Sequence, residues 1–301
     1  MTAEPVPLTV VVASVNGLPY PLECLEALER ERSAYPVSVI VADSTGAATV
    51  RAINERFPWV EVIAFDKPMT IPALRSAAVR AVRTPLVAIT EDHCVPRAGW
   101  AAAMAHAVRS NGWAAAGGGV ENGATRRAID WTVYFCEYAA LMSPVPDGPA
   151  STIPGMNAVY DLEVLGPWRQ LLERGWWENR VHDAIVAGGF TIGLDNRIVV
   201  DHRKHFSFAM FASERFHYSR AYAGDRVAGA GAVARVTWAA KTTALPMVIM
   251  MRVTREVLRR RRHVGRFVRT APLVALFSVI WSVGELVGYL TGPGDSLVRV
   301  R

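Results

Sequence analysis

The chain has only three cysteines, Cys24, Cys94 and Cys136, at spacings that match no metal-binding pattern, so neither a disulfide framework nor a zinc module is on offer. An odd set of thiols fits a reducing, cytosolic compartment, and nothing around Cys94 marks it as a nucleophile. No G-x-G-x-x-G follows the first apolar run and no G-x-x-x-x-G-K occurs, which excludes the dinucleotide fingerprint and the P-loop. Internal repeats and low-complexity segments are also missing. The opening MTAEPVPLTVVVAS has no basic leader, so it reads as a first strand and not as an export signal.

What is present is a 301-residue chain, 51% apolar, which is enough for one large catalytic domain and an appendage. We expect a catalytic domain over 1–230 and a helical, membrane-associated tail over 231–301. The formal charge of +6 would suggest nucleic acid if it were spread over the surface. It is not: the segment Arg252 to Arg269 holds eight arginines and one acid, Glu256, which more than accounts for the excess. No zinc-finger, RNP or basic-zipper pattern accompanies the block, so nucleic acid is not an expected partner and a membrane surface is.

From the N-terminus, Leu8–Ala13 is a β-branched run ending in turn residues, and Leu22, Leu25 and Leu28 then recur at helical spacing. Val37–Ala42 is a second run, ending at Asp43. Further on come a helix near Thr49–Phe57, a strand over Val60–Phe65 and a helix over Pro72–Val82 that exposes Arg75, Arg80 and Arg83. This alternation predicts an α/β, doubly wound, mostly parallel sheet. The next strand, in LVAITEDHCVP, delivers Glu91, Asp92 and His93 to the carboxyl edge, where such sheets place their chemistry. Oxygen and imidazole donors at adjacent positions suit Mg or Mn.

Beyond this point Gly117-Gly118-Gly119 reads as a flexible strand end, and SPVPDGPAST as a proline-rich loop able to act as a lid. IPGMNAVYDLEVL reads as a turn passing through Asn157 into a short helix. Gly175-Trp176-Trp177-Glu178-Asn179 opens a helix that stops at Gly188-Gly189. Tryptophans beside Glu178 suggest a sugar-lining surface and an apolar surround for a general base. IVVDHRKHF is a last short strand whose end carries His202. In the tail, Ala271–Leu290 is apolar apart from Glu285 and two serines, which is long enough to cross a bilayer. An interfacial or hairpin arrangement held by the arginine block is the favoured expectation, with one true span next and a soluble core helix as the third reading.

In their order these motifs resemble the family 2 glycosyltransferases of GT-A fold. Val12-Ala13-Ser14-Val15-Asn16 stands where the family has I-P-T-Y-N, and Val41-Ala42-Asp43-Ser44 where it has V-D-x-x-S. Ala73-Leu74-Arg75-Ser76 is similar to the A-R-N helix, and Glu91-Asp92-His93 to the D-x-D metal motif, with both outer aspartates replaced. Pro154-Gly155-Met156-Asn157 resembles G-G-N, Trp177-Glu178 the E-D pair, and Val200-Asp201-His202 the final v-x-H. The resemblance, over about Leu8–Arg226, implies Glu178 as catalytic base and Glu91, His93 and His202 as metal ligands. It implies Ala13, Asn16, Asp43, Arg75, Asp92, Asn157 and Trp177 as the nucleotide-sugar contacts. The implied activity is inverting transfer from a nucleoside-diphosphate sugar to a lipid-linked or cell-envelope glycan acceptor, with a divalent cation, Mn or Mg, on the cytoplasmic face of the cell membrane. A catalytically degenerate nucleotide-sugar-binding protein and a nucleotidyltransferase are the alternatives.

Overall fold

The computed structural model describes residues 5–175 and 177–300. The expected series is present as β1 (Leu8–Ser14), α1 (Tyr20–Arg32), β2 (Val37–Asp43), α2 (Ala47–Arg56), β3 (Glu61–Ala64), α3 (Ile71–Ala81) and β4 (Leu86–Glu91). It continues through β5 (Cys94–Pro96), α4 (Trp100–Asn111), β6 (Ala115–Asn122), α5 (Ala128–Tyr138), β7 (Gly148–Ala150), β8 (Ala158–Asp161), α6 (Leu162–Leu165), α7 (Glu178–Ala187) and β9 (Ile192–His202). Four helices close the chain: α8 (Phe208–Arg226), α9 (Ala232–Lys241), α10 (Leu245–Arg260) and α11 (Val264–Thr291).

Two compact units result. The first runs to Gly123 and resumes over Leu141–Lys204, and the second joins Ala124–Ala140 to the chain from His205 onward. In the first unit the strands form one sheet in the order β3-β2-β1-β4-β8-β6-β9-β5, with β7 added on β9. The pairs β1–β2, β1–β4, β2–β3 and β6–β9 are parallel and carry most of the paired residues; the shorter β4–β8, β6–β8, β5–β9 and β7–β9 pairs are antiparallel. Every residue of β1 and β4 is buried, which is why these strands are continuous apolar runs without alternation: helices cover both faces.

Three local expectations need correction. Gly117-Gly118-Gly119 is the buried middle of β6 and not a frayed end. A Cβ on Gly118 would overlap the Ile198 carbonyl oxygen, and one on Gly117 would come 2.8 Å from that of Asn157, so glycine is what lets the neighbouring backbones close in. Asn157 is followed by a strand, β8, which inserts antiparallel between β4 and β6 before the short helix α6. Within the proline-rich segment, Gly148–Ala150 is fixed as β7 by its ladder to β9.

The second unit is helical. The long apolar helix α11 packs along α8 and also meets α5, α9 and α10. Gly284 and Gly288 permit the closest approach, since a Cβ on either would overlap the α8 backbone carbonyls of Phe216 and Arg220. Phe277 closes an aromatic cluster with Phe206 and Phe211. Glu285, the acid inside the apolar stretch, is buried with its carboxylate satisfied by Trp281 Nε1 at 2.7 Å and the Tyr289 hydroxyl at 2.9 Å.

Candidate active site

Register places the first functional side chains. Ser14 pairs with Asp43 across β1–β2, and Ala13 pairs with Glu91 across β1–β4, so three neighbouring strands end level at the carboxyl edge of the sheet. Ser14 donates to Asp43 Oδ2 at 2.6 Å, and the Thr45 and Gly46 amides donate to Oδ1 at 2.9 and 3.2 Å. Asp43 is thereby buried as the organiser of the turn into α2. Beside it opens a cleft of about 900 Å³, lined by Asp43, Thr45, Arg51, Asn54, Glu55 and Asp66 among others.

Asp92 has a similar role one strand away. It accepts from the Val15 and Asn16 amides at 2.9 and 2.8 Å and from Asn16 Nδ2 at 2.7 Å, so it ties the end of β1 to the end of β4. Burial alone would raise its carboxyl, but the hydrogen bond and charge of His93, together with the Asn16 donors, outweigh burial and hold it below the usual carboxylate range. His93 Nδ1 lies 3.0 Å from Asp92 Oδ1. His93 Nε2 lies 3.5 Å from Glu91 Oε2.

Arg75 overturns an expectation. Its position on α3 suggested exposure, yet it is 6% exposed, because its guanidinium is drawn inward by two acids. Nη2 donates to Glu91 Oε1 at 2.5 Å and Nη1 to Glu178 Oε2 at 3.0 Å. Burial works against the charge, but Glu91 and Glu178 outweigh it and raise the guanidinium further above its ordinary value. Its Nε is buried without a hydrogen-bond partner among the described residues.

Glu178 is the first residue of α7, where the helix N-terminus favours a carboxylate. Its surround is charged and not the apolar one expected, since Arg75 lies against it. The Glu178 side chain is seated over Gly155, whose missing side chain makes the room: a Cβ there would lie 2.6 Å from the Glu178 carboxyl carbon. Trp177 precedes it and packs, partly buried, against the apolar cluster that includes Ile71 and Leu74; Trp176 lies outside the described residues.

Asn157 is held in the core, donating to the carbonyls of Gly119 at 2.9 Å and Ile198 at 3.3 Å and accepting from Trp100 Nε1 at 2.7 Å. His202, at the end of β9, meets His93 edge to face with centroids 4.5 Å apart. Burial first, then the nearby charges of His93 and Lys204, push its pKa well down and keep it neutral. Cys24 and Cys94 are buried, and burial pushes both thiols up, which suits packing and not nucleophilic chemistry.

One pair went unnoticed in the sequence. His182, one turn beyond Glu178 on α7, bonds through Nε2 to the Tyr160 hydroxyl of β8 at 2.8 Å. Burial takes its pKa down to about 4, so it serves as a neutral pin between α7 and the sheet. The i, i+4 spacing of Glu178 and His182 was the available signal.

No family model and no curated protein sequence matches the chain. Among solved structures, a mannosyltransferase from Pyrobaculum calidifontis in complex with GDP-Man and Mn2+ superposes with a TM-score of 0.56 at 15% identity, over 94% of this chain and 88% of that one. The chain has a GT-A-like fold. GalNAc-T7 with UDP, GalNAc and Mn2+ gives a TM-score of 0.52 at 11% identity, over 68% of this chain and 45% of that one.

A GT-A-like fold raises the question of a divalent cation. Among the described residues no group of three or more His, Cys, Asp or Glu side chains is arranged to hold one. Two donors do fit. Glu91 Oε2 and His93 Nε2 face each other across 3.5 Å, an arrangement that a cation between them would satisfy, and Asp92 fixes the imidazole from behind. Mg and Mn sites with so few protein ligands are completed by substrate phosphates and water.

Proposed function

We propose that the chain is an inverting glycosyltransferase of the family 2 kind, moving a sugar from a nucleoside-diphosphate sugar to a hydroxyl of a lipid-linked or cell-envelope glycan at the cytoplasmic face of the membrane. The observation that carries this is Arg75, a buried guanidinium joining the strand-end acid Glu91 to the helix-start acid Glu178, with one donor left over. Such a group has the charge and geometry to receive a leaving diphosphate.

In the mechanism the nucleoside lies in the cleft beside Asp43, with Asn16 following the end of β1 and Ala13 buried within that strand. Arg75 takes the diphosphate oxygens. A bound Mn or Mg, held by Glu91 and His93 with His202 behind them, would neutralise leaving-group charge. Glu178 offers Oε1, which has no hydrogen bond among the described residues, to the acceptor hydroxyl and removes its proton as the oxygen attacks the anomeric carbon. A single in-line displacement inverts the configuration, and no covalent intermediate is required. Trp177 and Asn157 support the walls of the site.

The deciding measurement is release of nucleoside diphosphate from a panel of UDP- and GDP-sugars with Mn present. Glu178→Gln keeps donor binding and loses transfer by about 10²–10⁴-fold. Turnover undiminished in that variant would remove Glu178 from the role of base. Donor binding without turnover of any donor would favour a nucleotide-sugar-binding protein instead.

A further inference from the structure

The second unit carries an unpartnered apolar face with a defined shape. On α11, Val268, Leu276, Val279, Val283, Leu286 and Leu290 are all exposed, from 36% to 65%. At 3.6 residues per turn they fall within about 80° of arc, a straight stripe along most of a 28-residue helix. On α10, Met247, Met251 and Leu258 are also exposed and share one face, within about 40° of arc. Arg252, Arg255 and Arg259 flank that face, and Arg261, Arg266 and Arg269 follow at the α10–α11 junction, all exposed.

The opposite side of α11 decides what this face can meet. It is covered by α8 from the contact of Phe277 with Phe208 to that of Gly288 with Arg220, and nearer its start by α5, where Phe135 meets Phe267. α8 carries Glu214, Arg215, Arg220, Asp225 and Arg226. If α11 crossed a bilayer, these charges would enter hydrocarbon with it, at a cost that rises with each charge. Glu285 adds nothing against lying in the plane, since its carboxylate is satisfied inside the unit. A helix apolar on one side, backed by charged protein on the other and fringed with arginines, is built to lie in the membrane interface.

We propose that this face inserts in the plane of an anionic phospholipid leaflet, the stripe of α11 and the methionine face of α10 entering the acyl boundary while the arginines bind lipid phosphates. The spacing of Leu276, Val279, Val283, Leu286 and Leu290 also suits a helix–helix seam. The flanking positions Ala275, Ile280, Ser282, Val287 and Tyr289 carry no charge to select a partner helix, however, whereas the arginines select an anionic surface. This gives the membrane association proposed above its mode and its lipid, and it holds whether or not the chain transfers sugar.

The test uses the full chain, without donor, in flotation with vesicles of phosphatidylcholine alone or mixed with phosphatidylglycerol. The expected result is binding to the mixed vesicles, about fivefold weaker for each of Arg255→Glu and Arg269→Glu, and weakened by salt. The double variant Val279→Asp with Leu286→Asp, both at exposed positions, should lose at least about tenfold of the binding while keeping its circular dichroism and melting temperature. Extraction of native membranes at alkaline pH should release the chain. Equal binding to both vesicle types, wild-type binding by the double variant, or retention after alkaline extraction would each overturn the proposal. So would a wild-type dimer in sedimentation that ignores vesicles and becomes monomeric in the double variant.

Discussion

Arg75 donates to Glu91 at 2.5 Å and to Glu178 at 3.0 Å, so one guanidinium holds together a strand end 16 residues further along the chain and a helix start 103 residues further along. Both Arg75 and Glu91 are almost wholly buried, and removing the cation leaves Glu91 charged in the interior. Arg75→Ala should therefore destabilise the fold by about 3 kcal/mol or more. Arg75→Lys retains the charge without the fork and should fall between the two. Urea denaturation measures both; an unchanged midpoint for Arg75→Ala would show that the acids accommodate its loss.

Gly155→Ala separates position from stability. The added methyl would collide with the end of the Glu178 side chain, a flexible group, so the fold should lose less than about 1 kcal/mol. Displacing Glu178, the proposed base, by about 1 Å is expected to lower transfer by about 10²-fold. Nucleoside diphosphate release alongside thermal melting checks both parts.

His182 makes stability depend on acid. Its folded pKa, about 4, lies below the ordinary histidine value, so above neutral pH both folded and unfolded chains hold it uncharged and it has no pH-dependent effect. As the pH falls below that ordinary value the unfolded chain takes up a proton that the folded chain refuses, and stability declines until the folded pKa is reached, by about 3 kcal/mol in all. His182→Gln keeps an acceptor for Tyr160 and should flatten this decline in urea titrations between pH 7 and pH 5 (about the range in which an unperturbed imidazole titrates). The buried, neutral His202 supplies the slope that remains.

The first seven elements were legible because each strand is a run of large apolar residues closed by a polar group. β6 was not, since Ala115-Ala116-Gly117-Gly118-Gly119 has little strand preference of its own and is extended only because β8 and β9 close on it. β8, four residues long, is too short to show a period. Of the proposed site residues, Asp43, Glu91, Asp92, His93 and His202 lie at strand ends, and their placement there was legible because each follows a run of apolar residues. The burial of Arg75 could not, because the acids that draw it inward come from distant segments, and helix periodicity reports only the neighbours one turn away. The resemblance supplied Glu178; the glycine seat beneath it and the Tyr160–His182 pin belong to tertiary structure alone.

The level ending of β2, β1 and β4 has one more consequence. Asp43, Ser14 and Glu91 keep their relative places through the backbone ladder itself, so the loops beyond Asn16 and Gly46, whose amides still hold Asp92 and Asp43, can change in length and composition without disturbing that row. The converse is a severe intolerance within the strands. Loss of one residue between Thr9 and Val12 with the start of β1 held in register would turn the side chains that follow the gap to the opposite face and take Ser14 out of line with both acids. Evolutionary freedom in this molecule should therefore be sought after the strand ends, and rigidity in the seven residues of β1.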